Sequence, residues 1–474
     1  MTSEFTRPDW VEERPYQSRA VEQWVDGNAQ GILKMATGTG KTITSLLAAE
    51  HVSNVFDGNI ALIVAVPYQH LVEQWAEDVR EFGADPILAY KSRNYWQEPF
   101  QQQALAFNTG ARETFTVITT HNTFATEAFQ SELSRISQAN QMLIADEVHH
   151  MGAPHLKSAL PDQIPMRMGL SATPERWYDE EGTEALNQYF SGGVVYEYSL
   201  AEAIENGALC EYYYIPHIVE LTDEEALEYE ELSSKIGRLA SRIDDDLGDA
   251  DLQSNYKLKQ ALFKRARLLG TAEGKLERLS RLVPEQGDVH HMLVYCGDGS
   301  VERESSGRTK RHVDATVELL RKDLGVRAKR FTAEEDQNER EELLAEFERG
   351  DLEALVAIRC LDEGVDVPAT ETAYILASSS NPRQFVQRRG RILRPHKNKE
   401  FAVVHDFIVS PPQRLADGDG PVFSAERSLV RKELERVMMF AESARNHPDA
   451  DVDGIPTSEA SLQDLKRRFN LLDL

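Results

Sequence analysis

The chain has 474 residues, with 79 acids against 52 bases, a formal net charge of −27, and only 16 lysines among the bases. At that length two to four domains of roughly 100–200 residues each are expected, and 41% hydrophobic with 28% charged residues excludes wholesale disorder and a fibrous repeat. No run of about 18 apolar residues exists to span a bilayer, Met1 to Pro8 lack the basic and apolar regions of a secretion signal, and Cys210, Cys296 and Cys360 are too scattered for a disulfide framework or a zinc site, so a cytoplasmic, multi-domain protein is expected.

Short apolar runs alternate with helical-period segments from the start of the chain. Gly31–Ala36 reads as a strand, followed by a Gly-rich turn and a helix through Thr42–Ala49. Ile60–Val66 is a second buried-strand run, then Pro67 and a helix carrying Leu71, Trp75 and Val79; Phe115–Ile118 and Met142–Ala145 read as further strands. Strands separated by helices predict a parallel sheet covered on both faces. The pattern restarts at Met292–Tyr295, Leu355–Ile358 and Ala373–Leu376. The expected organisation is an α/β domain over 1–200, a helical insertion or linker over 221–282 rich in Glu, Leu, Lys and Arg, a second α/β domain over 284–410, and a helical tail over 423–474 behind a Pro/Gly/Asp linker.

Three segments carry chemistry. Ala36-Thr37-Gly38-Thr39-Gly40-Lys41-Thr42 lies between a strand and a helix, where backbone N–H groups can cradle phosphates. Lys41 would reach the β/γ-phosphates and the Thr42 hydroxyl would ligate Mg²⁺; Met35 stands where the usual pattern has its first glycine, leaving Gly38 and Gly40 for close approach. Leu143-Ile144-Ala145-Asp146-Glu147 is an apolar strand ending in two carboxylates, with Asp146 suited to Mg²⁺ and Glu147 to polarising an attacking water. In Phe385 to Arg394, Gln387, Arg391 and Arg394 fall at i, i+4 and i+7 and share one face of a predicted helix. Guanidinium groups there could stabilise charge developing on a γ-phosphate.

With these segments in this order, over roughly Arg14 to Asp406, the chain resembles superfamily 2 helicases and translocases of the DEAD/DEAH-box type. It is most similar to the xeroderma pigmentosum B kind and to motor subunits of restriction and phage-defence systems. The resemblance implies two tandem RecA-like (P-loop NTPase) domains, ATP and Mg²⁺ as cofactors, and hydrolysis at the interface of the two domains. It further implies that Gln17, assisted by Arg14, reads the adenine edge, and that Gly364 and Asp366 of Cys360–Pro368 contact nucleotide. Pro67 and Gln74, Thr119 and Thr120, and Ser171 and Thr173 would form the nucleic-acid contacts and the coupling segment. His149 would bridge the two domains near Gln387.

The function implied is an ATP-dependent DNA motor in repair or anti-phage defence, with DNA as partner, no membrane, and a possible protein partner for the tail. An RNA helicase shares every motif, and a nucleotide-gated scaffold in a defence or repair assembly is a third reading. The acidic total does not decide among them, because a local basic groove can sit on an acidic body; acid-rich, lysine-poor composition is also similar to that of salt-loving organisms. Adjacent histidines at 149–150 and 290–291 are read as lying on strands and pointing to opposite faces.

Overall fold

Residues 5–137, 139–176, 179–240, 256–287, 289–303, 308–358, 367–377, 382–397, 399–415, 421–447 and 462–471 are described by a computed structural model. They form two units, Met1–Glu205 and Asn206–Leu474.

The first unit is built on β1 (Gln30–Met35), β2 (Ile60–Val66), β3 (Ile87–Ala89), β4 (Thr114–Thr120), β5 (Gln141–Ala145), β6 (Met166–Ser171) and β7 (Val194–Tyr198). They pair in the order β3-β4-β2-β5-β6-β1-β7, all parallel. Every residue of β2, β4 and β5 is buried, as expected of strands covered by helices on both faces. Aromatic side chains of the helix Arg93–Asn108 close one face; Phe100 meets Phe115 with ring centroids 5.0 Å apart and Phe129 at 5.9 Å. Register matters more than composition for the site. Ala65 pairs with Thr119 on one side and Ala145 on the other, so Thr120, Val66 and Asp146 arrive side by side at the same edge. Only β6 separates β5 from β1, which brings the end of β5 near the glycine-rich turn that follows β1.

The second unit contains β8 (Glu211–Glu220), β9 (Met292–Tyr295), an antiparallel pair β10 (Ser300–Arg303) and β11 (Arg308–Arg311), β12 (Ala328–Phe331), β13 (Ala354–Ala357), β14 (Thr372–Ile375) and β15 (Phe401–Ser410). Its main sheet runs β12-β13-β9-β14-β15-β8, again parallel throughout. The chain is therefore α/β with two parallel sheets of seven and six strands among the described residues.

Three features depart from the sequence reading. The segment before the expected insertion contains β8, paired over ten residues with β15 from Glu211–Phe401 to Glu220–Ser410. Its run of Tyr, His and a proline hides it from an apolar-run search, and Pro216 is tolerated because β8 is an edge strand. The insertion shares the core of the second unit: of its helices Asp223–Ala240, Tyr256–Gly270 and Glu273–Glu285, the last buries Leu279, Leu282 and Val283 beneath the second sheet. The tail helix Pro421–Ala441 docks on its own unit. Phe440 stacks on Tyr214 at 5.1 Å, Arg436 pairs with buried Asp406, and Glu426 takes a 2.7 Å hydrogen bond from Arg265 of the insertion. On the outer edge of β8, Asn446 pairs with Tyr214, accepting from its N and donating to its O, each at 2.9 Å.

Candidate active site

The turn after β1 is shaped by two glycines in the left-handed region, Gly38 at φ +89° and Gly40 at φ +78°, a conformation that a Cβ would strain. The helix Lys41–Val55 starts directly behind it, so its first N–H groups face the turn. Thr39 Oγ1 donates to Ala36 O at 2.7 Å, tightening the loop, and Lys41 Nζ lies 3.3 Å from Met35 O. Thr37 Oγ1 is buried with no hydrogen-bond partner among the described residues. An orphaned hydroxyl in a glycine-shaped loop at a helix N-terminus suits a polyphosphate, and the half-buried Thr42 follows at the second helical position. These residues fit ATP and Mg²⁺.

The helix Pro15–Asp26 braces the loop. Tyr16 OH donates to Thr39 O at 2.8 Å and its ring stacks on Tyr198 at 4.2 Å. Gln17 is buried against the turn, where a Cβ on Gly40 would come within 3.2 Å of its amide nitrogen. Its other amide atom, Oε1, accepts from Arg14 N at 2.9 Å, so Arg14 and Gln17 form the N-cap of this helix.

Asp146 ends β5 and is held from several directions. Its own N–H donates to Ala65 O at 2.9 Å, its Oδ1 accepts from Glu147 N at 2.9 Å, and its Oδ2 accepts from the indole Nε1 of Trp75 at 3.1 Å. Burial pushes the Asp146 carboxyl up, opposed by the charge of Lys41 and the Trp75 hydrogen bond, which is the balance expected where a cation is to be received. Glu147 takes φ +43°, an uncommon value outside glycine that costs about 1–3 kcal/mol and turns its carboxylate off the strand. His149 Nδ1 lies 3.4 Å from Glu147 Oε2 and 3.2 Å from Ser171 Oγ, which also accepts from Thr173 N at 3.1 Å. A line of contacts thus runs from Glu147 to the end of β6. His149 and His150 sit in the short 3₁₀ turn Val148–Gly152, not on a strand, and their rings approach to 4.4 Å; the expectation that they point to opposite faces is corrected.

The expected nucleic-acid residues divide. Gln74 is exposed and Pro67 half-exposed at the end of β2. Thr119 Oγ1 instead donates to Ala89 O at 2.7 Å, and Thr120 Oγ1 caps the next turn by accepting from Thr123 N at 3.2 Å. Both hydroxyls are buried, as is Ser171, so they brace strand ends through internal partners where phosphate contact was expected of them. His121, which follows Thr120, has its Nε2 3.3 Å from Ala65 O, the same carbonyl that receives Asp146 N. Burial, with His150 adding to it, pushes His121 down to about 3, so the imidazole is neutral.

In the second unit the helix Pro382–Ile392 carries Gln387 and Arg391, both buried. It ends before Arg394, which follows in a turn with its N–H on Arg391 O at 3.3 Å; the three-residue helical face expected from i, i+4, i+7 spacing is therefore two residues and a turn. Arg388 and Arg389 are built into the unit: Arg388 donates to Ala377 O at 3.0 Å over the Tyr295 ring, and Arg389 to Met439 O at 2.7 Å over Phe440. Gly364 and Asp366 lie outside the described residues. No helix among the described residues is long and apolar enough to cross a membrane.

Comparison with known proteins locates two family domains on the chain. The type III restriction enzyme res-subunit family matches residues 11–176, and the helicase conserved C-terminal domain matches residues 274–396. A DNA 3'-5' translocase XPB2 of Sulfurisphaera tokodaii is 28% identical over 411 residues, covering 84% of this chain and 81% of that protein. A putative DNA 3'-5' helicase Rad25 of Halobacterium salinarum is 26% identical over 399 residues, covering 81% of this chain and 52% of that protein, so the chain spans only about half of it. Among solved structures, the Hef helicase domain of Pyrococcus furiosus matches with a TM-score of 0.54 at 17% identity, over 86% of this chain and 98% of that one. The type ISP restriction-modification enzyme LlaBIII bound to DNA matches with a TM-score of 0.58 at 18% identity, over 98% of this chain and 32% of that one. These two likenesses concern the fold, a tandem RecA-like arrangement.

Proposed function

Because this chain belongs to superfamily 2 of the helicases and translocases, we propose that it hydrolyses ATP to move along DNA. The observation that carries the proposal is that one sheet presents a glycine-shaped loop bearing Lys41 and a half-buried Asp146–Glu147 pair, with the charge of Lys41 favouring the ionised Asp146 carboxylate. DNA is preferred to RNA because the relatives with the higher identities are named for DNA work. Their names also give the expected direction, 3′ to 5′.

In this reading the amides of Thr37–Lys41 and the Lys41 ammonium hold the triphosphate, and Gln17 with Arg14 takes the base. Thr42 and Asp146 would hold Mg²⁺, which supplies charge neutralisation on the phosphate oxygens. Glu147 accepts the proton of the attacking water, with His149 beside it to keep the carboxylate oriented. Arg391 and Arg394, and Gly364 and Asp366, are proposed to complete the site from the second unit, so that nucleotide state changes the grip on the track. Pro67 and Gln74 are the exposed candidates for backbone contact with DNA. The test is ATP turnover with single-stranded, duplex and forked DNA and with RNA, at low and high salt. Stimulation by DNA above RNA is expected; no response to any nucleic acid overturns the reading.

A further inference from the structure

Trp75 lies in the segment, with Pro67 and Gln74, whose resemblance implies nucleic-acid contact, but that resemblance gives the indole no role of its own. It stands next to Gln74 on the helix Gln69–Glu81, which begins just after Pro67 and Tyr68 at the end of β2. Gln74 is exposed, whereas Trp75 is 2% exposed and packs with Leu71, Val72, Ala76 and Val79 on the inner face of the helix. A buried indole needs a partner for its N–H. Here the partner is the carboxylate of Asp146, Nε1 to Oδ2 at 3.1 Å, across 71 residues of sequence. A second tie runs parallel to it: Ala65 O, one residue before the end of β2, receives both Asp146 N and the His121 ring.

Resting on the function proposed above, we propose that Trp75 is a positioning residue that couples DNA contact at the start of the helix Gln69–Glu81 to the carboxylate of Asp146. The helix is a stiff body; a phosphate held at its N-terminal turn or by Gln74 displaces the whole element. The indole is pinned by packing, so it moves with the helix. An N–H···O contact weakens steeply outside about 2.7–3.2 Å and below about 120°. A displacement of well under 1 Å therefore changes how strongly Oδ2 is engaged, and with it how much of the carboxylate is available to a cation. Asp146 Oδ1 stays held by Glu147 N throughout, so rotation of the carboxyl group is limited and the effect falls on one oxygen. Phenylalanine at this position would keep one aromatic ring in the packed face and lack the donor.

The test is Trp75→Phe in the full chain. A cooperative unfolding transition with a lowered midpoint is expected, because loss of the second ring leaves a small cavity at a buried position. The Mg²⁺ concentration giving half-maximal binding of a fluorescent ATP analogue should change by at least threefold, and the factor by which duplex DNA stimulates ATP turnover should fall about tenfold. A Trp75→Phe protein whose Mg²⁺ midpoint or DNA stimulation stays within twofold of the unaltered chain overturns the proposal while leaving the motor reading intact. An unaltered chain that hydrolyses ATP without any response to DNA overturns both. Should Trp75→Phe not fold, ¹⁵N-tryptophan labelling keeps the question open to measurement: of the five indole signals, the one displaced in Asp146→Asn reports Trp75. It is expected to shift when duplex DNA is added without nucleotide, and a signal that does not move sinks the coupling.

Discussion

In the first unit the charged groups of the candidate site, Lys41 at a helix start and Asp146 and Glu147 just past a strand end, contact main chain or one another. In the second, Arg388 and Arg389 of the arginine helix turn inward to carbonyls and aromatic rings of their own unit, and Arg436 and Arg265 are buried on Asp406 and Glu426. The difference teaches that similar parallel sheets can use charge in opposite ways. The first gathers polar groups at one end of its strands, where the nucleotide is proposed to bind; the second uses guanidinium groups to hold an insertion and a tail against its sheet, with Gln387, Arg391 and Arg394 as its candidates for chemistry. Charge deletions should therefore act on turnover in one unit and largely on stability in the other.

The largest expected effect is that of Lys41→Ala, which should abolish ATP turnover, a loss of at least about 10³-fold, while unfolding at the same temperature; retained turnover would break the assignment of the loop. Arg391→Ala should keep nucleotide binding but slow hydrolysis by about 10³-fold. If affinity collapsed and bound ATP still turned over normally, Arg391 would belong with the structural arginines. Arg436→Ala leaves Asp406 buried without its cation and should lower the stability of the second unit by about 3–5 kcal/mol, read as a shifted denaturant midpoint for that unit with the first unchanged.

A smaller effect separates the units by pH. Burial holds His312 and His405 near 3 and His217 near 4 in the second unit, against His121 near 3 in the first. Each folded value lies below the ordinary 6.5, so between about pH 6.5 and 3 the unfolded chain binds more protons and stability falls as pH drops. The slope is at most about 1.4 kcal/mol per pH unit for each imidazole. Unfolding followed at pH 7.5 and pH 5 should show the second unit losing more; equal losses would remove that contrast.

Much of the molecule was legible in the sequence where the signal is local. The turn at Gly38 and Gly40, the apolar strand into Asp146, and Ile60–Val66 each announce themselves within ten residues, because phosphate loops and doubly covered strands constrain their own composition. The fold class followed from the alternation of such runs. Arg394 was placed on a helix that stops at Ile392, since periodicity does not say where a helix ends. The strand Glu211–Glu220 was invisible because its partner lies some 190 residues away and its buried side chains are mostly Tyr212, Tyr214, Pro216 and His217 rather than an aliphatic run. The hydroxyls of Thr119 and Thr120 read as ligands from their motif, and burial gave them internal partners.

What the sequence by itself determined was the glycine-rich loop, the paired carboxylates, the arginine segment and two parallel α/β sheets, since each rests on neighbours along the chain. Only the tertiary structure decided that Trp75 donates to Asp146, that Ala65 O joins two strand ends, and that the tail helix closes over the second sheet. Those contacts depend on register and on packing between distant segments, and no spacing along the chain encodes the distance between two strand ends.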